Sequence, residues 1–126
     1  MRVFITKEFA RYARRESIKD GQLREAVRRI QHGIIDAELG DGLVKQRLAR
    51  TGQGRRGGFR ILMAFQPGRR AVFIYGFAKN ERANIQPDEL VFWRKVASAF
   101  IRMDEAGLDT MLDEGEIKQV DYDEEG

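Results

Sequence analysis

Apolar and polar residues alternate through the middle of the chain with the period of two that half-buried strands show. The alternation predicts three adjacent strands: the first begins at Leu43, the second covers Gly58–Gln66 and the third covers Arg70–Lys79. Pro67-Gly68-Arg69 lies between the last two strands and is typical of a hairpin turn. The pattern therefore predicts an antiparallel sheet at the centre of the protein.

The predicted hairpin sorts its side chains onto two faces. A two- or four-residue turn places Arg60 opposite Phe77 and Gly58 opposite Lys79, and opposed residues share a face. This first face is cationic and carries the aromatic rings of Tyr75 and Phe77. The second face is apolar, forms the predicted core and comprises Phe59, Ile61, Met63, Phe65, Val72, Ile74, Gly76 and Ala78.

Helical periodicity flanks the strands on both sides. A short strand at Val3–Ile5 leads into a helix that Thr6 caps, and a second helix is capped by Asp20 and stops at Gly33. These two helices cannot stand alone and are expected to pack on the apolar face of the sheet. A last helix begins at Pro87. Its apolar stripe is expected to face the core and comprises Leu90, Trp93, Val96, Ala97, Phe100 and Ile101.

The elements predict a single α+β domain over residues 1–112. It has a small, twisted, mainly antiparallel sheet, with two N-terminal helices on one face and a C-terminal helix. After Gly107 a short Leu108–Leu112 turn leads into residues 113–126, which are acidic and poor in apolar side chains. That composition predicts a disordered tail.

Composition restricts the kinds of site that the chain can form. There is no cysteine and one histidine, His32, which excludes thiolate and histidine-rich metal centres, and no metal or cofactor is expected. From Asp104 onward the chain carries a net −9, so the preceding part carries +12 of the overall +3. A body this basic attracts polyanions. Neither a membrane span nor a secretory signal is apparent, and a cytoplasmic protein is expected.

Five basic residues on or beside the cationic strand face are the candidates for chemistry, and RNA is the first substrate to consider. Cleaving RNA through its own 2′-hydroxyl requires a base, stabilisation of the phosphorane and protonation of the 5′ oxygen. Lysine can act as the base where nearby positive charge lowers its pKa, whereas arginine keeps its proton. Lys45 is the first candidate for the base and Lys79 the second. Arg60 suits a bidentate clamp on the phosphate, and Arg47 and Arg82 add positive charge.

Further residues are candidates for RNA contacts without chemistry. The glycine-rich segment 51–58 is predicted to be a basic hairpin loop, where Arg55 and Arg56 lie close to Arg50. Asn80 follows the third strand. Tyr75 and Phe77 either stack a base or shield Arg60. The alternative for all these residues is an ordinary solvated surface.

The order of elements and three motifs resemble the RelE/HigB superfamily of bacterial toxins over roughly residues 2–103. The motifs are Lys45-Gln46-Arg47-Leu48, Gly57-Gly58-Phe59-Arg60-Ile61-Leu62 and Tyr75-Gly76-Phe77-Ala78-Lys79-Asn80-Glu81-Arg82. The glycine-rich loop and the Ala78–Glu81 segment look most like a HigB-type branch. The resemblance implies a RelE-like microbial ribonuclease fold. It also implies a metal-independent endoribonuclease, an mRNA interferase, which cleaves messenger RNA in the ribosomal A site and so inhibits translation. A co-encoded helix-turn-helix antitoxin of the HigA kind would hold it inactive.

Residue by residue, the resemblance assigns the same basic side chains to the site. Lys45 and Arg47 match the paired basic positions of the first sheet strand, and Arg60 matches the arginine of the Gly-aromatic-Arg motif. Lys79 and Arg82 match the lysine and second arginine of a Lys-Arg-Glu-Arg run. The family's first arginine there is Asn80, and a tyrosine shortly after it is Gln86. These two departures favour the alternatives: a toxin that inhibits a protein such as DNA gyrase, or a nucleic-acid-binding module without chemistry.

Overall fold

The computed structural model describes residues 1–50, 54–82 and 84–123, but not the side chains of residues 49, 50 and 54–57. In chain order the elements are β1 (Arg2–Thr6), α1 (Lys7–Arg15), α2 (Asp20–Gln31), β2 (Ala37–Gly40), β3 (Leu43–Arg50), β4 (Gly54–Gln66), β5 (Arg70–Ala78), α3 (Pro87–Arg102), α4 (Glu105–Asp113) and β6 (Ile117–Val120). The strands form one sheet in the order β2-β3-β4-β5-β1-β6. β1 and β5 are parallel, and the other described pairs are antiparallel. The predicted α+β class is confirmed. No helix in the described part of the chain is both long and apolar enough to span a bilayer.

α1 and α2 cover the face of the sheet that carries Phe59, Ile61 and Met63, which was predicted to be the apolar face. The Thr6 hydroxyl accepts a hydrogen bond from the backbone N–H of Phe9 at 3.1 Å and caps α1. The cap of α2 is Lys19, so Asp20 is the first helical residue and not the predicted cap. α2 ends before Gly33, whose φ of +80° stops the helix as predicted. The buried residues of the two helices include Phe9, Tyr12, Leu23, Val27 and Ile30.

α3 and α4 cover part of the opposite face, which was predicted to be open and cationic. A second core forms between these helices and the sheet and includes Leu43, Leu62, Ala64, Val72, Ala97, Phe100 and Leu108. Trp93 packs against this core, as predicted, and its ring stacks on Tyr75 at a centroid distance of 4.8 Å. The prediction of one apolar and one cationic face is therefore wrong for the half of the sheet under α3, because the apolar stripe of α3 is buried there.

The β4–β5 hairpin has the predicted register at Arg60, but its turn differs from the predicted one and a β-bulge compensates for the difference. Gln66 pairs with Arg70, so the turn has three residues and not two or four. A β-bulge then adds one residue, Ile74, to β5 and shifts the register. Beyond the bulge Arg60 faces Phe77, as predicted.

The bulge also exchanges the faces of β5 on the side of the turn. Val72 and Ile74 pack under α3, whereas Ala71 and Phe73 join the core under α1 and α2. The predicted position of Val72 and Ile74 on the same face as Phe59 is therefore wrong. Alternation along a strand changes phase at a bulge, which the sequence pattern did not reveal.

The C-terminal segment is folded where a disordered tail was predicted. Asp104 caps α4, and its side chain accepts a hydrogen bond from the N–H of Gly107 at 2.8 Å. β6 then pairs with β1 at the edge of the sheet, and Ile117 and Val120 are only 1% and 5% exposed. The predicted domain boundary after Leu112 is therefore wrong. Acidic composition did not prevent folding, because both apolar side chains of the strand are buried.

A buried arginine fixes the end of α3 against the sheet. The side chain of Arg70 is 1% exposed, and its Nη1 donates to the carbonyl oxygens of Phe100 at 2.8 Å and Met103 at 2.6 Å. Its Nη2 lies 3.4 Å from the Glu105 carboxylate. Burial lowers the pKa of Arg70, and neighbouring Arg69 adds to this effect. A cation suits the carbonyl end of a helix, so Arg70 helps to set where α3 lies on the sheet.

Candidate active site

Two rows of side chains cross the half of the sheet that α3 leaves open. The arginine row runs across β3, β4 and β5 and comprises Arg47, Arg60 and Phe77. The lysine row lies next to it on the same face and comprises Lys45, Leu62 and Tyr75. Leu62 and Tyr75 belong to the core under α3, so the lysine row borders the helix and the arginine row lies beyond it.

Arg47 and Arg60 are direct cross-strand partners, although like charges in this position repel each other. The Nη1 atom of Arg60 is buried and has no hydrogen-bond partner among the described residues. Burial lowers the pKa of Arg60, Arg47 lowers it further, and Asp36 opposes the effect. A buried donor without a partner destabilises a protein. An anion that accepts from Arg60 and neutralises the pair would remove both penalties.

Asp36 is the carboxylate that raises the pKa of Arg60, but its own hydrogen bonds and ion pair are with other residues. Its Oδ2 accepts from the backbone N–H of Arg47 at 2.5 Å, and its Oδ1 lies 3.9 Å from Nη2 of Arg29. Gln46 is fully buried and fastens the same segment, because its amide accepts from the Asp36 N–H and donates to the Ile34 carbonyl. Asp36 therefore stabilises the backbone of β3, and no hydrogen bond or ion pair joins it to the side chain of Arg60 among the described residues.

Lys45 is half-buried, and its Nζ donates to Oδ1 of Asn84 at 3.3 Å. Lys79 is exposed just beyond the end of β5, where its backbone N–H donates to the Gly58 carbonyl. The structure thus brings Lys45 next to the arginine row. It leaves the Lys79 side chain in solvent, without a described contact to the other candidates. Asn80 is exposed in the same turn.

Arg82 is held by an ion pair with Glu89 at the start of α3. Both guanidinium nitrogens Nη1 and Nη2 donate to the Glu89 carboxylate. The hydrogen bond with Glu89 raises the pKa of Arg82, and the same bond lowers the pKa of Glu89. The ion pair therefore stabilises the fold fully at pH values above the usual pKa of a glutamate, and this stabilisation is lost as the pH falls from there through the lowered pKa of Glu89.

Of the two aromatic rings of the site, Phe77 is buried and Tyr75 is half-buried. Phe77 is 3% exposed, and the guanidinium carbon of Arg82 lies 5.4 Å from its ring centroid. The Tyr75 ring lies between the Phe77 ring, at a centroid distance of 6.1 Å, and the ring of Trp93, which stacks on it. Phe77 therefore presents almost no exposed ring surface on which a base could stack. The arrangement favours the shielding interpretation of Phe77 over base stacking.

The structure does not describe the side chains of three predicted RNA-contact residues, and it adds to the candidate site two residues that were not predicted from the sequence. Arg50, Arg55 and Arg56 lie outside the residues whose side chains the structure describes. Asn84 and Glu89 were not recognised as parts of the site. Glu89 had a sequence signal, because it stands three residues after the helix cap Gln86 in a capping box, but that pattern indicates a helix start only. No sequence pattern indicated Asn84.

The arrangement suits phosphate chemistry that uses arginine and lysine. Within residues 1–50, 54–82 and 84–123, no group of three or more histidine, aspartate or glutamate side chains could hold a metal ion. His32 lies at the end of α2, where its Nδ1 is 2.7 Å from the Arg28 carbonyl oxygen. The described site thus offers a cationic pair with a free donor and an adjacent lysine.

The sequence matches a family model over residues 1–120, from the first strand to the last residue of β6. That family is described as the RelE toxin of the RelE / RelB toxin-antitoxin system. A search of curated proteins finds no match. The matched range includes the arginine row, the lysine row and the C-terminal strand.

Proposed function

The chain belongs to the RelE toxin family and is a toxin of a toxin–antitoxin system, and from that premise we propose that it is a metal-independent endoribonuclease that cleaves messenger RNA. The observation that carries the proposal is the opposed pair Arg47 and Arg60, with one buried donor of Arg60 unpaired among the described residues. A phosphodiester supplies the anionic acceptor that this pair lacks. The adjacent Lys45 supplies a group that can exchange a proton.

In the proposed reaction Arg60 and Arg47 bind the non-bridging oxygens of the scissile phosphate and stabilise the phosphorane. Lys45, in its neutral form, removes the proton of the 2′-hydroxyl. The 2′-oxygen then attacks phosphorus, and the bond from phosphorus to the 5′ oxygen breaks. The leaving oxygen takes up a proton from solvent, and the Lys45 ammonium later returns its proton to solvent. The products are a 2′,3′-cyclic phosphate and a 5′-hydroxyl, so atoms and charges balance without a metal or an attacking water.

We further propose the finer assignments that the resemblance implies. These are membership of the HigB-like branch, cleavage of messenger RNA in the ribosomal A site, and inhibition by a helix-turn-helix antitoxin of the HigA kind. The antitoxin as such follows from the family, whereas its type rests on the likeness of the glycine-rich loop and the Ala78–Glu81 segment.

Producing the toxin without its antitoxin in a growing bacterium tests the proposal. We expect growth and translation to stop and cleaved messenger RNA to accumulate, as measured by mapping 5′ ends across the transcriptome. The matched control is the Lys118→Met protein, which loses a cation on the far edge strand and should remain toxic. Growth arrest with intact messenger RNA and inhibited DNA gyrase would support the protein-target alternative. Normal growth would support a binding module without chemistry.

A further inference from the structure

The segment between β5 and α3 makes polar contacts with both ends of the lysine row, at Lys45 and at Tyr75. Nζ of Lys45 donates to the side-chain oxygen of Asn84, 39 positions later in the chain. The same oxygen accepts the backbone N–H of Ile85 at 2.9 Å, which orients the amide. Asn84 is exposed, so its position depends on what holds the segment.

Arg82 holds this segment with all of its hydrogen-bond donors. Its Nε and Nη2 donate to the backbone carbonyl of Asn84 at 3.2 and 3.1 Å. Its Nη1 donates to the Tyr75 hydroxyl at 3.4 Å, and Nη1 and Nη2 both donate to Glu89. A guanidinium has five N–H groups, and these five contacts use each of them. Unlike Arg60, Arg82 has no donor left for a phosphate in this arrangement.

We propose that Asn84 is a positioning residue for Lys45, and that Arg82, fixed by Glu89, acts through Asn84 rather than on the phosphate. The inference rests on the proposed function, in which Lys45 is the base. It gives Arg82 a different role from the added positive charge expected from the sequence, and it adds Asn84 and Glu89 to the residues on which cleavage depends.

A neutral amide suits this task for an electrostatic reason. The Asn84 oxygen accepts a hydrogen bond from Lys45 whether the lysine is an ammonium or an amine, because both carry N–H groups. It therefore fixes Nζ without adding a negative charge, which would favour the ammonium and oppose proton removal. The other titratable groups described on this face are Arg47 on β3, Arg60 on β4 and Tyr75 on β5. The connecting segment adds Lys79, Glu81 and Arg82, and α3 adds Asp88, Glu89 and Arg94.

The pH dependence of cleavage tests the contact between Lys45 and Asn84. The single-turnover rate is measured on ribosome-bound messenger RNA across the pH range in which the wild-type rate rises. In Asn84→Asp a carboxylate stabilises the lysine ammonium, so the rising limb should move to higher pH by about one unit or more. Asn84→Ala should keep the position of the limb but lower the maximum rate about tenfold, because Nζ is no longer fixed.

Gln86→Glu is the matched control, because it adds the same charge two residues away and can retain the cap of α3. It should move the limb by much less than Asn84→Asp does. Equal shifts in the two variants would overturn the inference, since they would reflect charge in general and not this contact. Lys45→Arg should lose the rising limb and the activity. If the Lys45→Arg protein cleaves RNA like the wild type, or if the wild-type protein does not cleave RNA, the proposed function is wrong. The inference about Asn84, which rests on it, is then wrong too.

Glu89→Gln tests whether Arg82 acts by holding the segment that carries Asn84 or by binding the phosphate. The variant keeps a side chain for the helix cap but removes the charge that holds the guanidinium. If Arg82 acts through Asn84, the maximum rate should fall about tenfold, as in Asn84→Ala, with RNA affinity unchanged. Tighter RNA binding with an undiminished rate would show that released Arg82 binds phosphate, and would overturn this part of the inference.

Discussion

Arg60→Met should abolish RNA cleavage and at the same time stabilise the protein. Loss of a transition-state contact costs about a hundredfold or more in rate. The substitution also removes the repulsion from Arg47 and the buried donor that lacks a partner. We expect a gain of about 1 kcal/mol in the free energy of unfolding. Residues kept for function often destabilise the fold in this way, whereas a residue kept for structure would show the opposite sign.

Phosphate binding gives a second readout that does not require activity. The melting temperature of the wild-type protein should rise more in inorganic phosphate than in sodium chloride of equal ionic strength, since a ligand stabilises the state that binds it. Arg60→Met should lose the difference. Lys118→Met, which removes an exposed strand cation at the far edge of the sheet, should retain it together with full cleavage. A folded Arg60→Met protein that cleaves RNA at the wild-type rate would contradict the assignment.

Truncation after Asp113 should destabilise the protein strongly. It removes β6, and burial of an aliphatic side chain such as Ile117 or Val120 stabilises a fold by about 1.5–3 kcal/mol. The loss for the two is a large share of the roughly 5–15 kcal/mol that holds a typical domain together. The truncated chain should therefore melt well below the full-length protein or fail to fold.

A pair of neighbouring substitutions tests the same point in the full-length chain. Ile117→Ala should cost about 2–5 kcal/mol, because the side chain is 1% exposed. Lys118→Ala should change stability by less than about 0.5 kcal/mol, because that side chain lies in solvent. Equal and small effects, measured by chemical denaturation, would restore the prediction of a disordered tail over residues 113–126.

Features that depend on local sequence were predicted well. Thr6, Gly33 and Pro87 mark helix ends through capping and backbone geometry that neighbouring residues determine, and the structure confirms all three. The opposition of Arg60 and Phe77 was also correct, although the turn and the bulge each differ from the predicted hairpin by one residue. The two differences offset each other at the site, so the correct register does not validate the predicted turn.

Features that depend on distant contacts were missed. In β6 the buried residues Ile117 and Val120 are three apart, so the strand lacks the alternation that would identify it, and pairing with β1 determines its state. Nothing in the sequence distinguishes Arg70 from the exposed basic residues. Its burial is explained by its hydrogen bonds to the carbonyl groups at the end of α3. Asn84 likewise could not be recognised from its neighbours in the sequence, because its contact is with Lys45 on a distant strand.

In the proposed function this toxin cleaves RNA by making the 2′-hydroxyl attack the phosphate held by Arg60. The most direct test uses ribosome-bound messenger RNA with a single 2′-deoxynucleotide on the 5′ side of a mapped cleavage site, and a control with the deoxynucleotide one position downstream. We predict that the control is cut to a 2′,3′-cyclic phosphate and a 5′-hydroxyl, and that the first substrate stays intact at that site. Cleavage of the first substrate at the normal rate, or products with a 5′-phosphate, would contradict the account.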